Sequence, residues 1–335
     1  MTSRRVPSRW ILGFLVLGAI VAVARTHDEQ ERFKAILHDA QPAFLAVIVA
    51  LQAATYVCLG RAWRTAIVRA HAKPPRTGSL VRIALAELFT DQALPSGGVG
   101  GTVFVVTALD RRGVPKPAAG AAVVAALVGF YAAQVVSVIG AAIDLIARHH
   151  LVHFAIVVAA ISLVVALALP AGVVALAAGA RRLPARLLRI RAVLAARDAI
   201  AGAPRDVVFG PRTVAPIGAL RLLILVLDGA TLYAALRAVG SPVPIDAAIT
   251  AFSLATIASS ITFLPGGLGS FEAIAVGLLA LYGAPVPAAV AAVLLTRGFT
   301  FWLPMLPGLW FARQELRADR HDAPVGGSAP LLAKG

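Results

Sequence analysis

Seven ionisable side chains stand inside otherwise apolar stretches: the acids Glu87, Asp91, Asp144, Asp228 and Glu272, and the bases Arg221 and Arg297. In a bilayer each such charge costs at least about 2.5–3.5 kcal/mol at mid-depth, so it persists only with a partner, a wet cavity or a function. Their types suit holding and releasing a charged group. Arg297 carries a planar fork of donors that matches a phosphate. It lies about ten residues into the last apolar span, roughly 15 Å deep. Glu272 follows a Pro/Gly break, where a helix N-terminus favours an anion. The two either lock hairpin to helix as an ion pair, or Arg297 holds a phosphate that Glu272 positions or releases. Glu87 and Asp91 are four apart and share a helical face. They can attract an amine, relay protons, or divide into one acid that reaches water and one that stays protonated. Arg221 and Asp228 are seven apart, share a face and read as an intrahelical or interhelical pair.

Bond-making chemistry finds no support. There is no P-loop, no Cys-His pair and no His-Glu metal motif, so no catalytic residue, metal or cofactor is expected, and the chain does not read as an enzyme. The single cysteine, Cys58, excludes a disulfide framework and a Cys-based metal cluster. His149, His150 and His153 are close enough to ligate a metal, but no carboxylate adjoins them and a wetted helix end explains them better. The net charge of +15 would suit nucleic acid, yet the basic residues flank apolar spans, so no nucleic-acid partner is expected.

Those spans are the elements that must position the charges. Apolar residues make up 59% of the chain and charged residues 14%, against roughly 25% charged in a soluble domain. Residues 10–24 form a first run, read as an uncleaved helix or as a secretory signal with a site at Ala22-Val23-Ala24. Full spans follow at 42–60, 118–147, 151–180, 213–239 and 287–311. Between them lie two pairs of shorter arms, 79–94 with 101–112 and 247–263 with 268–282. Pro95, Gly97, Pro265, Gly266, Gly267 and Gly269 mark the breaks between arms, with small-residue helix packing as the other use of such glycines.

Shifting the chain by 170 positions aligns it with itself. Leu94-Pro95 falls on Leu264-Pro265, Gly97 on Gly267, Gly113 on Gly283, Pro115 on Pro285 and Pro117 on Pro287. If each pair of arms is a re-entrant hairpin, residues 4–9, 61–82, 111–116, 181–212 and 313–334 share one side. That side holds 24 of the 31 Lys and Arg, the other side five. The positive-inside rule makes it cytoplasmic and places both termini there. The first hairpin then enters from the cytoplasm and the second from outside, an inverted repeat of the kind that marks transporters. The expected fold is an all-α integral membrane protein with six full transmembrane helices and two re-entrant broken-helix hairpins. Residues 1–317 form one polytopic domain, with repeat one over about 42–147, a linking helix at 151–180 and repeat two over about 213–311. Residues 318–335 read as a flexible tail. The arginine-rich stretch 181–212 is expected on anionic inner-leaflet lipid.

The run Leu264-Pro265-Gly266-Gly267-Leu268-Gly269-Ser270-Phe271-Glu272, then Gly283, Leu294-Leu295-Thr296-Arg297 and Trp302-Leu303-Pro304, resembles the membrane region of lysylphosphatidylglycerol synthetases. The resemblance covers roughly residues 8–315 and implies a stand-alone form, without the aminoacyl-transferase domain. In that family the region is associated with moving an aminoacylated lipid between leaflets. Related sequences often carry Gly-Glu in the first hairpin, where Gly100-Gly101-Thr102 stands here. The functional expectation is a translocase for a lipid or lipid-linked phosphate in the cytoplasmic membrane. The alternatives are a membrane subunit serving a separate lipid-modifying enzyme and a small-solute carrier.

Overall fold

The computed structural model describes residues 42–93, 99–150, 152–179, 208–241, 243–260 and 267–322, and every element among them is helical. In chain order these are α1 (Pro42–Arg69), α2 (Thr77–Ala93), α3 (Val99–Asp110), α4 (Lys116–Ala147), α5 (His153–Gly179), α6 (Pro211–Ala238), α7 (Ile245–Ser259), α8 (Ser270–Leu281) and α9 (Val286–Arg297). A π-helical turn, Gly298–Trp302, leads into α10 (Leu303–Asp322). By length and hydropathy α1, α4, α6 and the rod Val286–Glu315 can each cross a membrane. The expected linking helix is α5, and the expected first span, 10–24, lies outside the described residues. The apolar side of α5 faces outward, with Phe154, Ile156, Val164 and Leu167 exposed, as bilayer solvent requires.

Local chemistry sets the corners. At Gly113 (φ +80°) and Gly283 (φ +86°) the backbone takes the left-handed region, which glycine adopts without penalty. The next residue turns inward and closes the helix behind it: Val114 N–H bonds Leu109 C=O at 3.1 Å, and Ala284 N–H bonds Leu279 C=O at 3.0 Å. Pro115 and Pro285 then cap α4 and α9, whose second residues, Pro117 and Pro287, need no N–H. The duplicated Gly-x-Pro-x-Pro punctuation therefore folds into the same corner twice.

Two apolar clusters set the directions of the arms. In one, the end of α1 (Trp63, Ile67) packs with the start of α2 (Leu80, Ile83), the end of α3 (Ala108, Leu109) and the start of α4 (Ala119, Ala122). In the other, the start of α1 (Ile48) packs with the end of α4 (Leu145), the end of α6 (Leu236), the start of α7 (Ala247, Ala248) and the end of α8 (Leu278, Leu279). So α2 and α3 both have their outer ends beside the α1 C-terminus, and α7 and α8 theirs beside the α1 N-terminus. The connections 94–98 and 261–266 lie outside the described residues.

The last rod differs from its expected form. It is a helix with a π bulge, and it runs on to Asp322, beyond the expected start of the tail at 318. Apolar counting finds a span but does not register a widened hydrogen-bond ladder, a device frequent at functional sites.

Candidate functional site

Each pair of arms presents a carboxylate to its own break. In the second pair, Gly269 (φ +84°) caps α8, and its N–H donates to Glu272 Oε2 at 2.6 Å. The other oxygen, Oε1, accepts from Arg297 Nε at 2.7 Å. Arg297 ends α9 and its guanidinium lies between two rings, 4.5 Å from the centre of Phe271 and 4.9 Å from that of Phe301. Glu272 is 3% exposed and Arg297 9%. Pair, amide and rings together satisfy charges that are otherwise costly to bury. Gly267 (φ +62°) belongs to the same break, and a Cβ there would sit 2.7 Å from Ser259 Cβ at the end of α7. Backbone angle and close approach both demand glycine. Pro95, Gly97, Pro265 and Gly266 lie outside the described residues.

In the first pair of arms the carboxylate comes from the opposite arm. Asp91, near the end of α2, accepts the Gly101 N–H of α3 at 3.0 Å. A Cβ on Gly101 would meet Asp91 Oδ1 at 2.1 Å. The acid thus occupies the space that a side chain at 101 would need, so the Gly100-Gly101-Thr102 departure comes with a carboxylate supplied by α2. One turn earlier stands Glu87. It faces Asp91, Arg221 from α6 and the Trp63 indole from α1.

Arg221 and Asp228 do not form the pair that their spacing suggested. Two helical turns separate them by roughly 10 Å, and neighbouring helices offer nearer partners. Asp228 accepts from Gln52 Nε2 at 3.0 Å and Thr55 Oγ1 at 3.4 Å, both on α1. Gln52 also donates to Thr231 Oγ1 at 3.0 Å. Arg221 instead lies 5.7 Å from the Phe130 ring centre, and its Nε is buried without a hydrogen bond. Glu87 is its electrostatic neighbour beyond ion-pair distance. Gln52 and Thr55 were missed from the sequence, although two polar groups three apart in an apolar span were a visible signal.

The outer ends of the arms are clasped by arginines. Arg112 Nε donates to Ser79 Oγ at 2.7 Å, and its two terminal nitrogens bind the carboxylate of Glu315 on α10. At the other end of the bundle Arg148 Nε donates to Asp144 Oδ1 at 2.9 Å, and its Nη2 binds Asp246 at the start of α7. Asp144 also accepts from Thr250 and from Tyr282, which follows α8. The hydrogen bonds that Arg148 donates to Asp246 and Asp144 raise its pKa. Burial pushes the Asp246 carboxyl up, but its bonds to Arg148 and the Ala247 amide outweigh that and hold it low. Asp144 is therefore a helix-end anchor, and its i,i+4 spacing to Arg148 was the signal. His150 packs edge-on to Tyr282, at 4.9 Å between ring centres, and among the described residues no three metal-ligating side chains converge.

Separately, Arg69, His71, Arg212 and Thr213 line a cavity of about 490 Å³ where α1 ends and α6 begins.

Residues 10–308 match the family described as the lysylphosphatidylglycerol synthase TM region. The chain belongs to that family. The match spans both pairs of arms and every buried charge described above, so the arrangement lies within the family's membrane region. A search among curated proteins found no match. The chain is thus a member of a membrane-protein family, built of apolar helices.

Proposed function

We propose that this chain is a translocase, not an enzyme, that carries a lipid or lipid-linked phosphate between the leaflets of the cytoplasmic membrane. The observation that carries the reading is the pair of helical hairpins, α2–α3 and α7–α8. They point into the bundle from opposite ends, and each holds a carboxylate on a glycine amide beside its break. In a membrane these are re-entrant hairpins of an inverted repeat, with α1, α4, α5, α6 and the α9–α10 rod as full spans and residues 10–24 as the sixth. Broken backbone at that depth is stable only where protein or water covers it, and transport sites are built at such breaks. The positive-inside count supports a cytoplasmic entry for α2–α3, on the same side as both termini. The basic cavity at Arg69 and Arg212 supports contact of 181–212 with anionic inner-leaflet lipid.

Arg221 is the better-placed cation for a phosphate. Arg297 is already held by Glu272 and two rings, whereas the buried Nε of Arg221 has no acceptor. The test is transfer of a labelled phospholipid in proteoliposomes, with lipid analysis of the purified protein. Bound lipid and protein-dependent transfer support the translocase. A stably bound enzyme without transfer replaces it with the subunit reading, and flux of a water-soluble solute replaces it with the carrier reading.

A further inference from the structure

Glu87 stands where three helices place groups of opposite demand. Its neighbours are Asp91 on its own helix, Arg221 from α6 and the Trp63 indole from α1. The facing α3 contributes the Gly101 amide, which donates to Asp91. Among the described side chains of α10, Glu315 is engaged by Arg111 and Arg112, and Arg313 and Arg317 are exposed. Arg82, the other charge of this arm, lies 5.6 Å from the Phe311 ring centre.

One donor in this cluster lacks an acceptor. The Trp63 indole, 3% exposed, is turned to Glu87. The Nε of Arg221 is buried and unbonded. An unsatisfied buried donor is unfavourable, so the Arg221 Nε is suited to an oxygen of an incoming anion. Charge balance gives the second half of the argument. One guanidinium offsets one carboxylate, and a second carboxylate a turn away must carry a proton to remain in a medium of low polarity.

We infer that Glu87, Asp91 and Arg221 form a proton-coupling site, in which an anionic headgroup reaching Arg221 drives a proton onto Glu87. This deepens the translocase reading and rests on it. The phosphate oxygen takes over the positive charge of Arg221. Glu87 and Asp91 are then two acids without a cation, and the Glu87 carboxylate takes a proton from water on the open side, forming one O–H bond. When the headgroup leaves on the other side, Arg221 again balances Glu87 and the proton passes to water there. One proton moves with each headgroup.

The experiment uses the full chain in vesicles of phosphatidylcholine and phosphatidylglycerol, with acyl-labelled phosphatidylglycerol as the probe and the membrane potential clamped. Label in the outer leaflet is read by chemical quenching. With one proton per lipid, a pH gradient of about one unit sets an about tenfold difference in label between leaflets at steady state. Glu87→Gln brings that ratio to one whatever its transfer rate, and Glu87→Asp retains a response. Equal label in both leaflets of wild-type vesicles, with and without the gradient, overturns the coupling and leaves the translocase standing. Absence of wild-type transfer overturns both. The wild-type gradient measurement decides the proposal even where a variant does not fold.

Discussion

Removing the charge of Arg297 strands the buried Glu272 carboxylate, which among the described residues keeps the Gly269 amide as donor. The pair it breaks is short, at 2.7 Å, and nearly sealed from solvent, with side-chain exposures of 10% and 3%. Loss of one member of such a pair costs about 3–5 kcal/mol, chiefly because the other charge is stranded. The guanidinium also leaves two aromatic faces, worth up to about 2 kcal/mol when desolvated. Arg297→Gln is therefore expected to lower stability by about 3–5 kcal/mol, and Glu272→Gln by a similar amount. The double variant should recover most of the loss, since no charge is then stranded. Arg297→Lys should recover only part, because a point charge bonds Glu272 without the planar stacking between Phe271 and Phe301. Thermal unfolding in detergent gives the four-way cycle, and phospholipid transfer is measured on the same samples. Additive losses, with the double variant no better than either single one, would refute the ion pair as the stabilising unit. Full recovery of stability without recovery of transfer would give Arg297 a role in moving the substrate beyond holding the hairpin.

Three further outcomes follow from the geometry. Gly267→Ala should destabilise more than Gly283→Ala, because both have positive φ but only Gly267 also meets Ser259, at 2.7 Å; the Gly283 change should cost about 1–2 kcal/mol in thermal unfolding. Gly101→Ala should displace the Asp91 carboxylate that lies 2.1 Å from the added carbon, and slow lipid transfer about tenfold or more while a Thr107→Ala control on the same helix does not. Single cysteines in a Cys58→Ala background should resist an impermeant external reagent at 111–116 and react at 283–286. External labelling at position 190 in sealed cells would overturn the orientation.

The bundle works because its two kinds of polar group do different things at different depths. Arginine clasps at the hairpin ends, Arg112 with Glu315 and Arg148 with Asp246, fix where each hairpin begins and returns. They are partly exposed, so each contributes modestly and depends on salt. The interior groups have no such screening, and there a single unmatched proton or ligand charge changes the energy of the whole site. Stability therefore resides mainly in packing, and in the proposed translocase the response to a substrate resides in the Glu87 and Glu272 clusters.

Membrane solvent, helical class and the places where the chain must bend were legible in the residues themselves. Apolar run length and the rarity of charge require spans, and Gly-x-Pro-x-Pro dictates a corner because glycine supplies positive φ and proline supplies a cap without an N–H. The meeting of Arg297 with Glu272 was a matter of depth, and depth follows from helical rise. Partner choice among the other charges was not legible. Arg221 and Asp228 share a helix face, yet Asp228 turns to Gln52 and Thr55 and Arg221 toward Glu87. Such choices depend on which helices abut and in what rotation, and those follow from side-chain packing over the entire bundle. The π turn after Arg297 and the seating of Asp91 in the space beside Gly101 were likewise decided by tertiary structure, because each is a response of one helix to the surface of another.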